Sequence, residues 1–163
     1  TLHFASALLP AGWADDVQVE VTDGTIAKVT AGVTPAPGDE RHQLAIPGIA
    51  SLHSHAFQRG MAGLAERRGD AAGTFWTWRE AMYHAANRLS PDAVYEVSRA
   101  SFAEMLASGI TSVGEFHYLP HNADGPYHEN PKLLSECVLR AGQNPDLPLP
   151  FQAPACAPST GHK

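Results

Sequence analysis

Apolar and polar positions alternate through VQVEVTDGTIAKVTAGV, residues 17 to 33, on both sides of Asp23-Gly24. A period of two is that of a strand with one buried face, and Asp-Gly places two residues that tolerate positive φ at the centre of a tight turn. A β-hairpin from Val17 to about Val33 follows. The polar, proline-bearing stretch TPAPGDERH then reads as a connection, and LAIPGIASLH resumes strand character with a break at Pro47-Gly48. Residues 1 to 46 are therefore expected to form a small β segment.

The pattern changes to a helical one further on. TFWTWREAMYHAANRL contains neither glycine nor proline, and the SPDAVYEVSRASFAEMLASG that follows opens with Ser90 as a cap and Pro91 at the first helical position. On this second helix Val94, Phe102, Met105 and Leu106 share one face, whereas Asp92, Glu96, Arg99 and Glu104 lie outside it. Gly109 ends it. ITSVGEFHY then reads as a buried strand, apolar and β-branched first and polar at its end. Strand, helices, strand is the grammar of a βα repeat, whose functional residues gather at the C-terminal ends of the strands. The last 22 residues carry five prolines and little periodicity, so residues 142 to 163 are expected to be irregular.

Length limits this architecture. A chain of 163 residues is too short for a whole (β/α)₈ barrel of about 250, so a barrel reading makes it part of one. A net charge of -6 without any basic stripe argues against nucleic acid or an anionic membrane as partner and favours a small polar metabolite. No run approaches the roughly 18 apolar residues of a membrane span, and the first residues lack the pattern of a signal peptide, so a cytoplasmic location is expected. Cys137 and Cys156 are too few for a disulfide framework and read as ordinary thiols.

Chemistry concentrates in SLHSHAFQRG, residues 51 to 60. On extended backbone His53 and His55 point to the same face, whereas on a helix they would diverge by about 200°. Imidazole suits zinc, iron or nickel, and a catalytic zinc takes three or more protein ligands, so the pair is half a site. Glu115 and His117 share a face of the later strand and are read as structural. His84 and His121 are read as solvated or capping, and His3, His42, His128 and His162 carry no signal.

PGIASLHSHAFQRGMAGLAERR, FWTWREAMY and GITSVGEFHYLPH together resemble the N-formimino-L-glutamate deiminases of the amidohydrolase superfamily, from near Thr1 to about Arg140. The resemblance implies an α/β fold, namely a (β/α)₈ barrel with a small β-domain. Residues 1–46 would then belong to the β-domain, 47–141 would be the first βα units of an incomplete barrel, and 142–163 a proline-rich tail. It implies one zinc per site and hydrolysis of N-formimino-L-glutamate to N-formyl-L-glutamate and ammonia, in histidine degradation. It makes His53 and His55 zinc ligands and gives Gln58, Arg79 and Tyr118 contacts with the substrate. A homodimer is compatible with it.

The family also requires a histidine at the fifth strand, a histidine at the sixth and an aspartate at the eighth, with an acid-base glutamate and a further arginine. No catalytic residue of that set is expected within this chain, which turns proline-rich after SECVLRAGQ as a shifted reading frame would. The chain is accordingly expected to be truncated and inactive by itself. Its helix face from Val94 to Leu106 and its ITSV strand are expected to be exposed. Two other readings stand beside this one: an amidohydrolase deaminase acting on a ring or guanidine substrate, and a non-catalytic fragment with weak metal binding.

Overall fold

The computed structural model describes residues 1–64, 75–117, 119, 130, 132–145 and 147. Tyr118, His121, His128, Cys156, His162 and, of the 142–163 segment, all but residues 142–145 and 147 lie outside the described residues. The chain divides into two compact units, Thr1–Pro47 and Gly48–Lys163.

In the first unit β1 (Leu2–Leu9), β2 (Gly12–Thr22), β3 (Thr25–Thr30) and β4 (Glu40–Ala45) form one sheet in the order β3-β2-β1-β4. The β2–β3 hairpin turns where the sequence predicts: Asp23 and Gly24 have φ of +50° and +73°, the two positive values that a turn matching strand twist demands. The return strand β4 lies parallel to β1 and begins at Glu40, inside the stretch read as a connection. Backbone pairing in register with Leu2 to Phe4 overrides the polarity of Glu40, Arg41 and His42. His42 stacks on Phe4 across that pair and meets Glu40 at 3.0 Å. Few side chains here are buried. Val17 and Ala7 are the apolar ones, joined by His3, whose Nε2 donates to the Val33 carbonyl at 2.7 Å and ties β1 to the residues after β3.

The second unit starts with β5 (Ile49–Ser54), runs through a 3₁₀ helix (Ala56–Met61), α1 (Phe75–Ala86) and α2 (Pro91–Ala107), and returns as β6 (Ile110–Glu115) before α3 (Leu133–Gly142). β5 and β6 pair in parallel, which requires a long crossover, and the helices between them supply it. Ser90 caps α2 by accepting from the Ala93 N–H at 3.2 Å, with Pro91 in its first turn. Gly109, at φ +84°, takes the left-handed conformation that ends the helix and aims the chain into β6.

Packing overturns the expected exposure of the ITSV strand, where Val113 is buried and Ile110 packs against the core, and that of the α2 face. The α2 face is covered: Val94, Phe102 and Leu106 are buried in a cluster with Phe57 and Met61 of the 3₁₀ helix, Met82 of α1, Val113 of β6, and Leu134, Cys137 and Val138 of α3. α3 follows β6 as the second helix layer and supplies the surface that α2 needs, a contribution the sequence reading did not anticipate. Burial in this cluster pushes the Cys137 thiol up, as befits an unreactive packing residue. Apolar exposure falls instead on β5, where Leu52 is 87 % and Ile49 50 % accessible.

Candidate active site

The end of β5 delivers His53 and His55. Extended backbone up to Ser54 sets the two rings edge to face with centroids 4.6 Å apart, so the spacing does bring both imidazoles together. His53 is exposed and His55 half-buried. His55 Nδ1 lies 2.8 Å from the backbone carbonyl of Phe116. Because a carbonyl can only accept, that nitrogen carries the proton, and a neutral ring then has its lone pair on Nε2. An outer-sphere bond of this kind is what orients a metal-binding histidine.

Three features hold the segment after His55. Ala56 begins the 3₁₀ helix, and its N–H donates to Glu115 Oε1 at 2.8 Å, so a side chain from the neighbouring strand serves as the cap. Ala56, Phe57 and Met61 are buried in the core. Arg59 reaches α2 through two 2.7 Å bonds, Nε to Glu104 Oε2 and Nη2 to Glu104 Oε1. The bidentate geometry fixes direction more than it adds stability at so exposed a position. Glu115 is read from sequence as structural, but its partner, 59 residues away, is not legible there, and neither is that of Arg59, 45 residues away.

Val113 and Glu115 of β6, and His117 two residues past its end, are buried alternate residues. Glu115 Oε2, Ser54 Oγ and both ring nitrogens of His117 are buried without a hydrogen-bonding partner among the described residues. Burial depresses the His117 pKa to about 4, and the Leu119 backbone opposes this in part without closing a hydrogen bond.

The residues assigned to the substrate are placed as follows. Gln58, half-buried on the 3₁₀ helix, directs its Nε2 at Met82 Sδ, 3.6 Å away. Arg79 is exposed on α1 with its guanidinium over Trp76 at 5.7 Å and Tyr83 at 5.4 Å. It lines an open cleft of about 520 Å³ with Trp76, Glu80, Tyr83 and His84, a wall that includes neither His53, His55 nor Gln58. Trp78, by contrast, packs against the core.

The donor set can be tested against zinc. A Zn–N length of about 2 Å at a tetrahedral angle puts the centroids of two bound imidazoles roughly 5 Å apart, near the separation of His53 and His55. The separation of the pair is thus compatible with two ligands. Among the described residues no group of three or more His, Cys, Asp or Glu side chains could hold a metal, so the pair does not make a closed site.

Residues 44–156 match the amidohydrolase family, and the chain belongs to it. Residues 1–43 match the N-terminal domain of the formimidoylglutamate deiminase HutF. The formimidoylglutamate deiminase of Pseudomonas aeruginosa is 43% identical over 136 residues, which are 83% of this chain and 30% of that protein. An amidohydrolase from Brucella melitensis superimposes with a TM-score of 0.80 at 44% identity, covering 87% of this chain and 32% of that one. The atrazine chlorohydrolase of Arthrobacter aurescens, solved in complex with zinc, shares the fold at 17% identity, with a TM-score of 0.62 over 88% of this chain and 33% of its own. The chain thus spans about a third of the length of the relatives it matches. The α/β architecture is that of the first part of an amidohydrolase barrel. No described helix is long and apolar enough to cross a membrane.

Proposed function

We propose that this chain forms the N-terminal part of a cytoplasmic, zinc-dependent deiminase acting on N-formimino-L-glutamate. Water adds to the formimino carbon, the carbon–nitrogen bond to the terminal nitrogen breaks, and N-formyl-L-glutamate and ammonia leave. The observation that carries the reading is the convergence of His53 and His55 at the end of a parallel strand, with the His55 tautomer set by the Phe116 carbonyl. Similarity to a formimidoylglutamate deiminase at 43% identity, against 28% for an 8-oxoguanine deaminase, favours the formimino substrate over a ring substrate.

His53 and His55 would hold the zinc together with ligands from outside the described residues. Zinc bound there supplies Lewis acidity, which makes water a nucleophile near neutral pH. The chain's own residues bind and orient. Arg79 would take a glutamate carboxylate, its guanidinium already ordered by two aromatic rings and suited by its fork to a planar anion. Gln58 would contact the substrate from the segment that follows the histidines, and Tyr118 would donate to it from beyond β6. Residues 1–46 would form part of the small β-domain and 47–141 the first βα units of the barrel.

Zinc titration of the purified chain, monitored by calorimetry, tests the site. Wild type should bind, and His53→Ala or His55→Ala should weaken binding at least about tenfold. Equal affinity in all three proteins would refute the assignment.

A further inference from the structure

The carboxyl group of Glu115 is buried and makes one hydrogen bond, to the N–H of Ala56, while Oε2 has no partner among the described residues. A residue that served packing alone would be better replaced by an apolar side chain, because half-satisfied burial of a polar group works against the fold. The position therefore points to the bond it does make.

That bond is one of three that join the ends of β5 and β6. Phe116 N–H donates to the Ser54 carbonyl at 2.9 Å, Ala56 N–H to Glu115 Oε1 at 2.8 Å, and His55 Nδ1–H to the Phe116 carbonyl at 2.8 Å. Residues 54, 55 and 56 are thus gripped in succession by residues 115 and 116. His55 stands at the start of the 3₁₀ helix, and its ring makes no capping bond there. Without an acceptor at position 115 the Ala56 N–H, first in that helix, loses its partner. The backbone on the C-terminal side of His55 is then held by one fewer strand-to-strand bond.

We propose that Glu115 is a positioning residue that acts through Ala56 to hold His55 in the rotamer seen here and in the Nδ1–H tautomer that the Phe116 carbonyl requires, so that Nε2 presents its lone pair. The inference rests on the reading of His55 as a metal ligand, but its first readout does not require metal. Two variants separate the acceptor from the volume: Glu115→Gln keeps an oxygen that can accept from Ala56, and Glu115→Met fills similar space without one.

The experiment uses the 163-residue chain labelled with ¹⁵N in histidine, at pH 8, without and then with zinc chloride. The ring nitrogen shifts of His55 should report the Nδ1–H tautomer in wild type and Glu115→Gln and a mixture of tautomers in Glu115→Met. Zinc affinity should fall about 10- to 100-fold in Glu115→Met and by less than about threefold in Glu115→Gln. An unchanged His55 tautomer in a folded Glu115→Met protein overturns the proposal. So does unfolding of Glu115→Met while Glu115→Gln folds, which would make the residue one of stability, and so does equal damage from both variants. A wild-type chain that takes up no zinc, with a His55 tautomer that still depends on Glu115, would refute the metal-site reading while upholding the role of Glu115.

Discussion

The imidazole of His117 stands edge-on to the ring of Phe57, with centroids 6.3 Å apart and planes at 80°. A neutral ring suits that packing and a charged one does not, because neither nitrogen has a partner among the described residues that could stabilise the cation. The consequence is a pH dependence of stability with a definite sign. Burial lowers the folded pKa to about 4 from 6.5, so between these values the unfolded chain binds the extra proton. Stability is level above about pH 6.5 and declines as the pH falls to about 4, by roughly 3 kcal/mol in all. Urea midpoints across that range should show the slope in wild type and lose most of it in His117→Leu. An equal slope in both proteins would place the titration elsewhere.

Gly48 occupies a place where a side chain does not fit. A Cβ built on it would overlap Thr111 of β6, whose Cγ2 would lie 2.6 Å away. Gly48→Ala should therefore cost about 1–3 kcal/mol, as overpacking does. Thr111→Ala removes two of the three overlapping atoms, so the glycine change should cost less in that background. Chemical denaturation of the four proteins of this cycle measures the coupling, and additive effects would show that Thr111 is not what the added methyl meets.

Local chemistry was the legible part of this fold. Asp23-Gly24, Ser90-Pro91 and Gly109 each act locally, through their own backbone or, for Ser90, a side chain bonded three residues on, and their structures follow from residue type. The strand at Glu40 and the burial of α2 depend on partners distant in sequence, β1 and α3, which no periodicity announces. The candidate site divides in the same way. His53 and His55 converge because two residues of extended backbone make them do so, whereas the grip of Glu115 on Ala56 and of Arg59 on Glu104 exists only once β6 and α2 have packed.

Arg79 offers a test of the substrate assignment in the deiminase of Pseudomonas aeruginosa. Changing the arginine equivalent to Arg79 there to Met should lower kcat/KM for formiminoglutamate about ten- to hundredfold, as expected from loss of a charge-assisted bond of roughly 1.5–3 kcal/mol. Zinc content should not change. A kcat/KM equal to wild type would show that the guanidinium does no more than stack on the aromatic rings corresponding to Trp76 and Tyr83.

The 163-residue chain alone should release no ammonia from N-formimino-L-glutamate. Two imidazoles are fewer than the three or more protein ligands of a catalytic zinc, and no cluster of the described residues can complete the set. The cleft beside Arg79 is open, and catalytic electrostatics are strong only where water is excluded. Ile49 and Leu52 leave apolar side chains of β5 accessible, and exposed apolar surface beside a strand favours association. Purified chain with added zinc should therefore give ammonia at the background rate and, by light scattering, form assemblies larger than a monomer as its concentration rises. Leu52→Lys should reduce that association without altering the His55 tautomer, since Leu52 is 87 % accessible and lies outside the contacts that hold the histidine. Turnover within about tenfold of the Pseudomonas aeruginosa enzyme would show that two histidines suffice or that the site lies elsewhere in the chain.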